Sequence, residues 1–498
     1  MSEVTKSQFA NNALWKFIDA IIRKVAGLLI SIFLARLITP EEYGVIALTL
    51  VFLTFSDIFI LNGFNIALIR KETVSEVDYS TIMGFSLAFS VFLYAIFYLL
   101  APTFAIFYEN DELCPVLRTV TILLFFQAIA TVIRSKGTRE LRFKEMAIAA
   151  CVSNISSGII AVILAYQGLG VWALVFQQLL ACFSEMVLLI IIFKWKFLLR
   201  FSVKTAHEMF KFTLGVLGTS FLDFFGNNAS NLVIGKTYST KDLGYLNRAN
   251  MFPETIGLNI YNSINSVLLP TLSSRQNDDV SLKIVTRKIM SFTLFIMIPL
   301  MAGIAAIAGH LVPVLLTEKW NACIPMIYYC CGNYAINPIR SIGYNIFYAK
   351  GLSEKCVRIE IIRSILMISG VILVAIIMKW SLMTVLFSNM MVSVITSIAS
   401  QIQVNKIIGY SLKELLEDLL PSLFLSIIMM AVVVTIGKIH INEVALIILQ
   451  LLAGGFIFIL GAHLTHNSNY FILREYIQIT VLKHTRSKWL KFLLYMKM

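Results

Sequence analysis

The chain has too few charged residues to be a large water-soluble protein. Of its 498 residues, only 14% are Asp, Glu, Lys or Arg, whereas 58% are hydrophobic, and the mean hydropathy is +0.82. Soluble domains have about 25% charged residues. Apolar stretches of about 20 residues, each long enough to cross the hydrocarbon core of a bilayer, recur from end to end. The composition therefore excludes a soluble globular protein and indicates a polytopic membrane protein with little mass outside the membrane.

The sequence also lacks the residue clusters that metal, disulfide or nucleotide chemistry requires. The seven cysteines are odd in number and lie mostly inside apolar stretches, so no disulfide framework is expected. Cys330 and Cys331 are adjacent, without the spacing of metal ligands, and the six histidines are scattered. No phosphate loop, Ser-His-Asp set or soluble nucleotide-binding domain is found. We expect no metal, no cofactor, no nucleic-acid partner and no catalytic residue, so the chain is not expected to be an enzyme.

The predicted architecture is all-α, with about fourteen transmembrane helices. The polar start, MSEVTKSQFANN, lacks the features of a removable signal, so the first helix is expected to stay in the protein. The predicted spans are 10–38, 42–69, 82–107, 116–133, 146–166, 171–193, 212–234, 245–269, 289–311, 323–349, 359–378, 382–402, 415–436 and 444–464.

Basic residues are concentrated in every second gap between these spans. The even-numbered gaps and the two ends together hold roughly 28 Lys and Arg, including the runs at 134–144 and 194–211, whereas the odd-numbered gaps hold about 8. Cytoplasmic loops of membrane proteins are richer in Lys and Arg than external loops. The distribution therefore predicts that both termini are cytoplasmic.

One connector sequence occurs twice in the chain. The run ARLITPEEYG at 35–44 is echoed 200 residues later by GKTYSTKDLG at 235–244. The offset aligns Arg36 with Lys236, Thr39 with Ser239, Glu42 with Asp242, Gly44 with Gly244, Phe52 with Phe252, Asn62 with Asn262 and Asn65 with Asn265. Six crossings separate the copies, so both run the same way through the membrane, as in a parallel duplication of six helices. The alternative is chance similarity in apolar sequence.

This duplication predicts the domain organisation. Residues 1–200 form a first six-helix bundle, 201–410 a second bundle, 411–466 two additional membrane helices and 467–498 a basic cytoplasmic tail. A substrate path would lie between the two bundles.

Ionisable residues inside the predicted spans are candidate site residues, because each costs roughly 2.5–3.5 kcal/mol at the bilayer centre unless it faces a partner or an aqueous cavity. The first span carries Asp19, Arg23 and Lys24. Asp19 and Arg23 are one turn apart and can pair, so they either line a cavity or form a salt bridge that ties helices together. Asp57 in span two and Asp223 in span seven are further candidates for ion coupling or salt bridges.

Polar side chains form stripes on other spans. Asn333, Asn337, Arg340 and Tyr344 are spaced to share one face of span ten, and Asn262 lies on span eight. Such residues either line a cavity or hydrogen-bond between helices at roughly 1–2 kcal/mol each. Amides would suit a sugar and a guanidinium would suit a phosphate.

The sequence resembles a known family at several of these places. The start, LWKFIDAIIRKVAGLLISIFLARLITPEEYG, the segment RSKGTRELRFKEMA and GLGVWALVFQQL at 168–179 are similar to polysaccharide transport proteins of the Wzx type. That family lies within the multidrug/oligosaccharidyl-lipid/polysaccharide exporter superfamily. The resemblance covers roughly residues 10 to 465, and its motifs are specific to the family but not to a substrate.

The resemblance implies a flippase with two lobes that alternate access. Such proteins move undecaprenyl-diphosphate-linked oligosaccharide from the cytoplasmic to the periplasmic leaflet of a bacterial inner membrane. Lipid-linked oligosaccharide and membrane lipid are then the expected partners, with glycosyltransferases and a polymerase of the same pathway. Arg23 and Lys24 match the cations that would meet the diphosphate. Asp19 departs from this pattern, and either pairs with Arg23 or couples transport to an ion.

Two other functions remain as hypotheses. The first is an ion-coupled multidrug or metabolite antiporter of the same superfamily, which fourteen spans and a polar interior favour less. The second is a membrane-embedded glycosyltransferase or polysaccharide polymerase. Such enzymes tend to carry a long external loop or an acidic catalytic motif, whereas every external gap here is short.

Overall fold

The computed structural model describes residues 26–63, 68, 74–196, 202, 220–221, 224, 228 and 230–475, and every regular element in that part of the chain is helical. In chain order the helices are α1 Ala26–Leu37, α2 Pro40–Asp57, α3 Glu76–Tyr108, α4 Leu113–Val120, α5 Leu123–Arg139, α6 Phe143–Tyr166, α7 Val171–Ile192, α8 230–237, α9 Thr240–Ser273, α10 Asp279–Leu316, α11 Ile324–Ala349, α12 Ser353–Val371, α13 Leu382–Ile408, α14 Leu412–Ile436, α15 Glu443–Leu464 and α16 468–475. A π turn follows α2 at Ile58–Gly63 and another follows α12 at Ile372–Ile377; a 3₁₀ turn, Glu318–Cys323, precedes α11.

The prediction of an all-helical, polytopic membrane protein is confirmed. Within the described ranges, ten helical segments are long and apolar enough to cross a membrane. The helices α9 and α11 contain 34 and 26 residues and are more polar. The total of fourteen spans and the two-bundle layout stay predictions.

Capping residues explain where several of these helices begin. Thr39 accepts a hydrogen bond from the Glu42 amide, and the Glu42 carboxylate accepts one from the Thr39 amide. Ser75 with Asp78, and Ser411 with Glu414, form the same reciprocal pair at the starts of α3 and α14. Each pair satisfies backbone donors that the first helical turn leaves open. The capping residues therefore determine where each of these helices begins.

The chain divides into two compact units. Unit 1 comprises Met1–Arg248, Leu315–Cys323 and Glu360–Asn389, and unit 2 comprises Ala249–Val314, Ile324–Ile359 and Met390–Met498. In unit 2, a core of mainly Leu, Ile, Met and Phe side chains joins the end of α9, the first half of α10 and the second half of α11 to the start of α12, the end of α13 and the start of α14. In unit 1, a core joins α5, α6 and α7 through residues such as Ala149, Met186 and Leu189.

An ionic cluster fastens the start of α14 within unit 2. Arg287 on α10 contacts Asp418, Glu417 and Glu414 at N–O distances of 2.9, 3.1 and 3.4 Å. Lys283 adds a second bond to Glu414 at 2.8 Å. The guanidinium spreads its donors over three carboxylates, which fixes α14 against α10 at this end.

We expect the two ends of the membrane helices to label from opposite sides. Cysteines replacing Lys241 and Lys355, in a background without native cysteines, should react differently with an impermeant maleimide applied to intact cells. Position 241 should react from outside, and position 355 only after permeabilisation. The reason is that Lys and Arg are concentrated in the gaps that include position 355, which predicts that the connector at 235–244 lies on the external side. External reaction at 355 without reaction at 241 would reverse the predicted orientation.

Candidate functional site

Four of the predicted site residues, Asp19, Arg23, Lys24 and Asp223, lie outside the residues that the structure describes. Their assignments as substrate-binding or ion-coupling residues stay predictions. The remaining six, Asp57, Asn262, Asn333, Asn337, Arg340 and Tyr344, can be placed.

The polar face of span ten lies on α11, within unit 2. The Arg340 Nη2 donates to the Asn337 Oδ1 at 3.0 Å, so these two side chains share a face. Asn333, one turn before Asn337, is partly buried, as are Asn337 and Arg340. Tyr344 is different, because its ring packs against the buried core and lies 6.3 Å from the Phe347 ring. The face thus offers a guanidinium beside amides, with Tyr344 turned toward the packed interior.

Helix α9 brings a second set of amides into unit 2. Asn259 and Asn262 are exposed in the middle of this long helix, an arrangement that costs free energy against lipid and favours an aqueous cavity. Asn265, one turn on, accepts a hydrogen bond of 2.9 Å from Asn345 on α11. The polar stripe of α9 therefore has two parts: Asn265 bonds between helices, whereas Asn262 presents its amide at the surface of the unit.

A close approach holds α9 against α11 near this stripe. A Cβ on Gly257 would lie 2.5 Å from Cδ1 of Tyr334, so only glycine lets the tyrosine ring pack on the α9 backbone. Asn250 is hydrogen-bonded to the side chains of both Glu254 and Tyr334. The amide surface at Asn262 and the guanidinium surface at Arg340 thus belong to two helices in direct contact.

Asp57 is the last residue of α2 and lies in unit 1. Its Oδ1 is buried and accepts no hydrogen bond from the described residues. The π turn Ile58–Gly63 begins at the next residue. Of the two predicted roles, a salt bridge has no support among the described contacts of Asp57.

The two copies of the repeated connector meet inside unit 1. A Cβ on Gly44 would overlap the carbonyl oxygen of Thr240, and a Cβ on Gly244 would overlap that of Pro40. The contact is reciprocal: each glycine admits the first residue of the other helix. A salt bridge of 2.8 Å between Glu41 and Lys241, which are also 200 residues apart, lies beside it.

The repeated residues have repeated local roles. Ser239 accepts from the Asp242 amide at 3.0 Å and donates to its carboxylate at 2.7 Å, as Thr39 pairs with Glu42 in the first copy. Glu42 has an additional task, since its Oε1 accepts from the Val171 amide at 3.1 Å at the start of α7. The chain therefore uses the same connector twice for two physical reasons: it caps the start of a helix, and its glycine allows the two helices to touch.

The segment Leu315–Cys323 caps the end of α1. Lys319 donates to the Arg36 carbonyl and the Trp320 indole to the Ala35 carbonyl, both at 2.8 Å. These carbonyls belong to the last helical turn, which has no partners of its own and favours a cation nearby. Arg36 in turn donates to the Leu315 carbonyl at 2.9 Å, at the end of α10.

The second connector makes the matching contact. Lys236, the counterpart of Arg36, binds Glu109 at 2.7 Å, immediately after the end of α3. This hydrogen bond from Lys236 lowers the pKa of the Glu109 carboxyl. The basic residue of each connector thus contacts the end of a long helix: Arg36 contacts the end of α10, and Lys236 contacts the end of α3.

Two buried arginines in unit 1 were missed by the sequence reading. Arg248 lies over the Tyr43 ring at 3.8 Å, and the fully buried Trp320 packs edge-on against Tyr43. Arg363 on α12 donates to Glu360 at 2.7 Å, and both side chains are largely buried. Each arginine lies inside a predicted span, and the cost of a charge there was the signal that could have identified it.

No group of three or more His, Cys, Asp or Glu residues that could hold a metal ion occurs in the described ranges. Helix α11 brings together the Arg340 guanidinium and the Asn337 amide, and such groups suit anions and sugar hydroxyls.

Comparison with known proteins identifies the family. Residues 33–325, more than half of the chain, match the model of the polysaccharide biosynthesis protein family. The chain belongs to this family. The lipopolysaccharide biosynthesis protein WzxC of Escherichia coli is 20% identical over 447 residues, covering 87% of this chain and 89% of WzxC. The succinoglycan biosynthesis transport protein ExoT of Rhizobium meliloti is 23% identical over 294 residues, covering 59% of this chain and 60% of ExoT.

A solved structure of the lipid II flippase MurJ, in an inward closed conformation, has a similar fold. The TM-score is 0.70, the identity is 17%, and the match covers 91% of this chain and 99% of the MurJ chain. The family predicted from the connector and loop motifs is therefore confirmed, and the fold is shared with a flippase.

Proposed function

We propose that this family member is a flippase that moves undecaprenyl-diphosphate-linked oligosaccharide from the cytoplasmic to the periplasmic leaflet. The observation that carries the proposal is the family match over residues 33–325 together with a MurJ-like fold. The relatives WzxC and ExoT are named for polysaccharide biosynthesis, and ExoT is named a transport protein. The chain is thus proposed to be a transporter in polysaccharide biosynthesis rather than an enzyme.

The polar surface of unit 2 supports a sugar and phosphate ligand. Asn262 offers an exposed amide on α9, and Arg340 offers a guanidinium beside Asn337 on α11. Amides bind hydroxyl groups in both directions, and a guanidinium binds phosphate oxygens in a planar fork. Arg23 and Lys24 of the first span are the proposed partners of the diphosphate, and the amides of unit 2 are the proposed partners of the sugars.

The connectors support a mechanism of alternating access. Two glycines allow the helix starts to interlock, and the basic residues of both connectors contact the ends of α3 and α10. Reciprocal contacts of this kind are expected of two repeats related by an axis along the membrane normal. We propose that these contacts close the periplasmic side, and that they part when the substrate is released there.

We expect Arg340→Lys to impair transport even though the positive charge is kept. The lysine ammonium cannot form the planar fork that binds two phosphate oxygens, so transport should fall severalfold, and Arg340→Ala should reduce it further. The measurement is export of surface polysaccharide in a deletion strain, normalised to the amount of inserted protein. Arg118→Lys is the matched control, because Arg118 lies on a short helix and donates to the Tyr98 carbonyl. Equal activity of Arg340→Ala and the wild type would remove Arg340 from the site.

The alternative is an ion-coupled antiporter, which would also be compatible with Asp57, whose Oδ1 is buried without a hydrogen bond from the described residues. A direct experiment separates the two functions. In a deletion strain, lipid-linked oligosaccharide should accumulate on the cytoplasmic leaflet. A glycosidase added outside spheroplasts should then leave this oligosaccharide uncut. Expression of the wild-type gene should make the oligosaccharide accessible to the enzyme. Restored access supports the flippase. Unchanged access, combined with raised resistance to cationic drugs, would favour the antiporter.

A further inference from the structure

Asp57 is a membrane acid in an unusual situation. Its Oδ1 is buried and receives no hydrogen bond, and Asp57 forms no ion pair with any residue in the described ranges. Two other acids of unit 1 are held differently. Glu185 binds Arg134 through two nitrogens, at 3.0 and 2.5 Å, and Glu360 binds Arg363. An ionised carboxylate without a partner is very costly in a medium of low dielectric constant, whereas the protonated acid avoids most of that cost.

The groups around Asp57 do not supply a cation to it. On α7, the Cys182 thiol is close enough to Asp57 to interact with it electrostatically, and it interacts with Arg134 and Glu185 in the same way. The Arg134 guanidinium on α5 is already engaged by Glu185. The titratable groups of the other helices packed against α2 and its π turn have partners of their own: on α3, Asp78 accepts a hydrogen bond from the Ser75 hydroxyl, and on α4, Arg118 donates to the Tyr98 carbonyl.

Aromatic rings pack together at the residues on either side of Asp57. Phe55 and Phe59 lie two residues before and after Asp57, and their rings contact each other with centroids 5.7 Å apart. Phe224 packs on Phe55 at 5.4 Å, and Phe89 stacks on Phe59 at 5.6 Å. The π turn that starts at Ile58 interrupts the regular helix at the same place, a feature that is frequent at functional sites.

The repeat shows that an acid is not required here by the fold. Helices α2 and α9 begin 200 residues apart, at Pro40 and Thr240, so the counterpart of Asp57 is Gly257. In the second copy that position has no side chain, and the Tyr334 ring occupies the space. The carboxyl is therefore a feature of the first copy alone, which argues for a role other than packing.

The geometry points to Asp57 as a proton-binding site that couples substrate transport to the movement of a proton across the membrane. The inference rests on the proposed function and deepens it by naming the coupling residue. In the conformation described here, Asp57 holds a proton taken from water and is neutral. When the helices of unit 1 rearrange and water reaches the carboxyl, the proton dissociates and leaves a carboxylate, and the cycle resets when a new proton binds.

The proton can be detected without any substrate. A hydrophobic carbodiimide adds to a protonated carboxyl inside a membrane protein and leaves an acylurea that mass spectrometry locates. In purified wild-type protein, we expect labelling of Asp57 at about pH 6, where exposed aspartates are ionised, and a decline as the pH rises. Glu185 and Glu360 are matched controls, because each forms a salt bridge with an arginine, and neither should be labelled. Absence of label at Asp57, or equal labelling of all three acids, would overturn the inference.

Sodium provides the second arm of the test. A sodium ion would also neutralise a buried carboxylate, and it would protect Asp57 from the carbodiimide at constant pH. We expect labelling to be the same in sodium and in choline buffers. Protection by sodium in the millimolar range would show that the site binds a metal cation and would overturn the assignment to a proton.

Variants connect the site to transport. Asp57→Asn imitates the protonated acid, so the protein should insert normally yet lose transport that depends on a pH gradient, and Asp57→Glu should restore most of it. Lack of label at Asp57 in a protein that still restores glycosidase access would reject the coupling residue and leave the flippase function standing. Normal labelling in a protein that restores no access would reject the flippase function instead.

Discussion

A covalent link between residues 41 and 241 should abolish transport, and its reduction should restore it. Glu41 and Lys241 form a salt bridge of 2.8 Å where the two connectors meet, and both side chains are about half exposed and thus accessible to a reagent. If the connectors part during each cycle, a short disulfide-containing thiol crosslinker between cysteines at these positions holds the protein closed. Export of polysaccharide should fall to the level of the deletion strain. The native cysteines are replaced first, because seven are present.

The chain offers a matched control for this crosslink. Glu76 on α3 and Lys136 on α5 form a salt bridge of 2.7 Å, and both lie within the first predicted bundle. A crosslink of the same length between these positions joins helices that should move together, so transport should continue. Transport that persists with the 41–241 link fully formed would contradict the opening of the connectors. Loss of transport with both links would mean that the crosslinking itself damages the protein.

The sequence predicted the helices well because their signals are local. Length, hydropathy and capping residues act within one segment, and the predicted spans 146–166 and 171–193 coincide with α6 Phe143–Tyr166 and α7 Val171–Ile192 within a few residues. The repeated connector was also visible, since its offset of 200 residues has no gap. The contact between the two copies could not be predicted from the sequence, because Gly44 meets Thr240 only after the two helix starts have come together.

The site could be predicted only in part for the same reason. Helical spacing placed Asn337 and Arg340 on one face, and their hydrogen bond agrees with that spacing. Spacing alone could not show that Tyr344, on the same predicted face, packs into the core of unit 2. It also could not show that Oδ1 of Asp57 is buried without a hydrogen bond from the described residues, because that depends on side chains that are distant in sequence.

The two connectors are packed by residues from distant parts of the chain, and these contacts cannot be predicted from any one segment. Trp320 is fully buried and donates to Ala35, 285 residues earlier in the chain. Nothing in the sequence TEKW marks this tryptophan as buried, since short polar loops are normally exposed. Arg248 was detectable as a charge within a span, but its partner Tyr43 was not.

Charge reversal at the first span should have the largest effect of any single substitution. A diphosphate that leaves water without compensating cations incurs a prohibitive desolvation cost, and Arg23 and Lys24 are the proposed compensating cations. Arg23→Glu should therefore abolish polysaccharide export. Arg23→Lys keeps the charge but loses the second charge-assisted hydrogen bond, worth about 1.5–3 kcal/mol, so binding should weaken roughly 10- to 100-fold.

The neighbouring acid and the double variant make this prediction specific. Asp19→Asn should have a milder effect if Asp19 only orients Arg23, because the cation remains; a large defect that varies with the proton or sodium gradient would assign ion coupling to Asp19 and compete with Asp57 for that role. The Arg23→Ala, Lys24→Ala protein, checked for normal membrane insertion, removes both cations and should export no more polysaccharide than the deletion strain. Wild-type export by that protein would mean that the diphosphate is neutralised elsewhere, and Arg340 would then be the first candidate, because its guanidinium already lies beside the Asn337 amide on the polar face of α11.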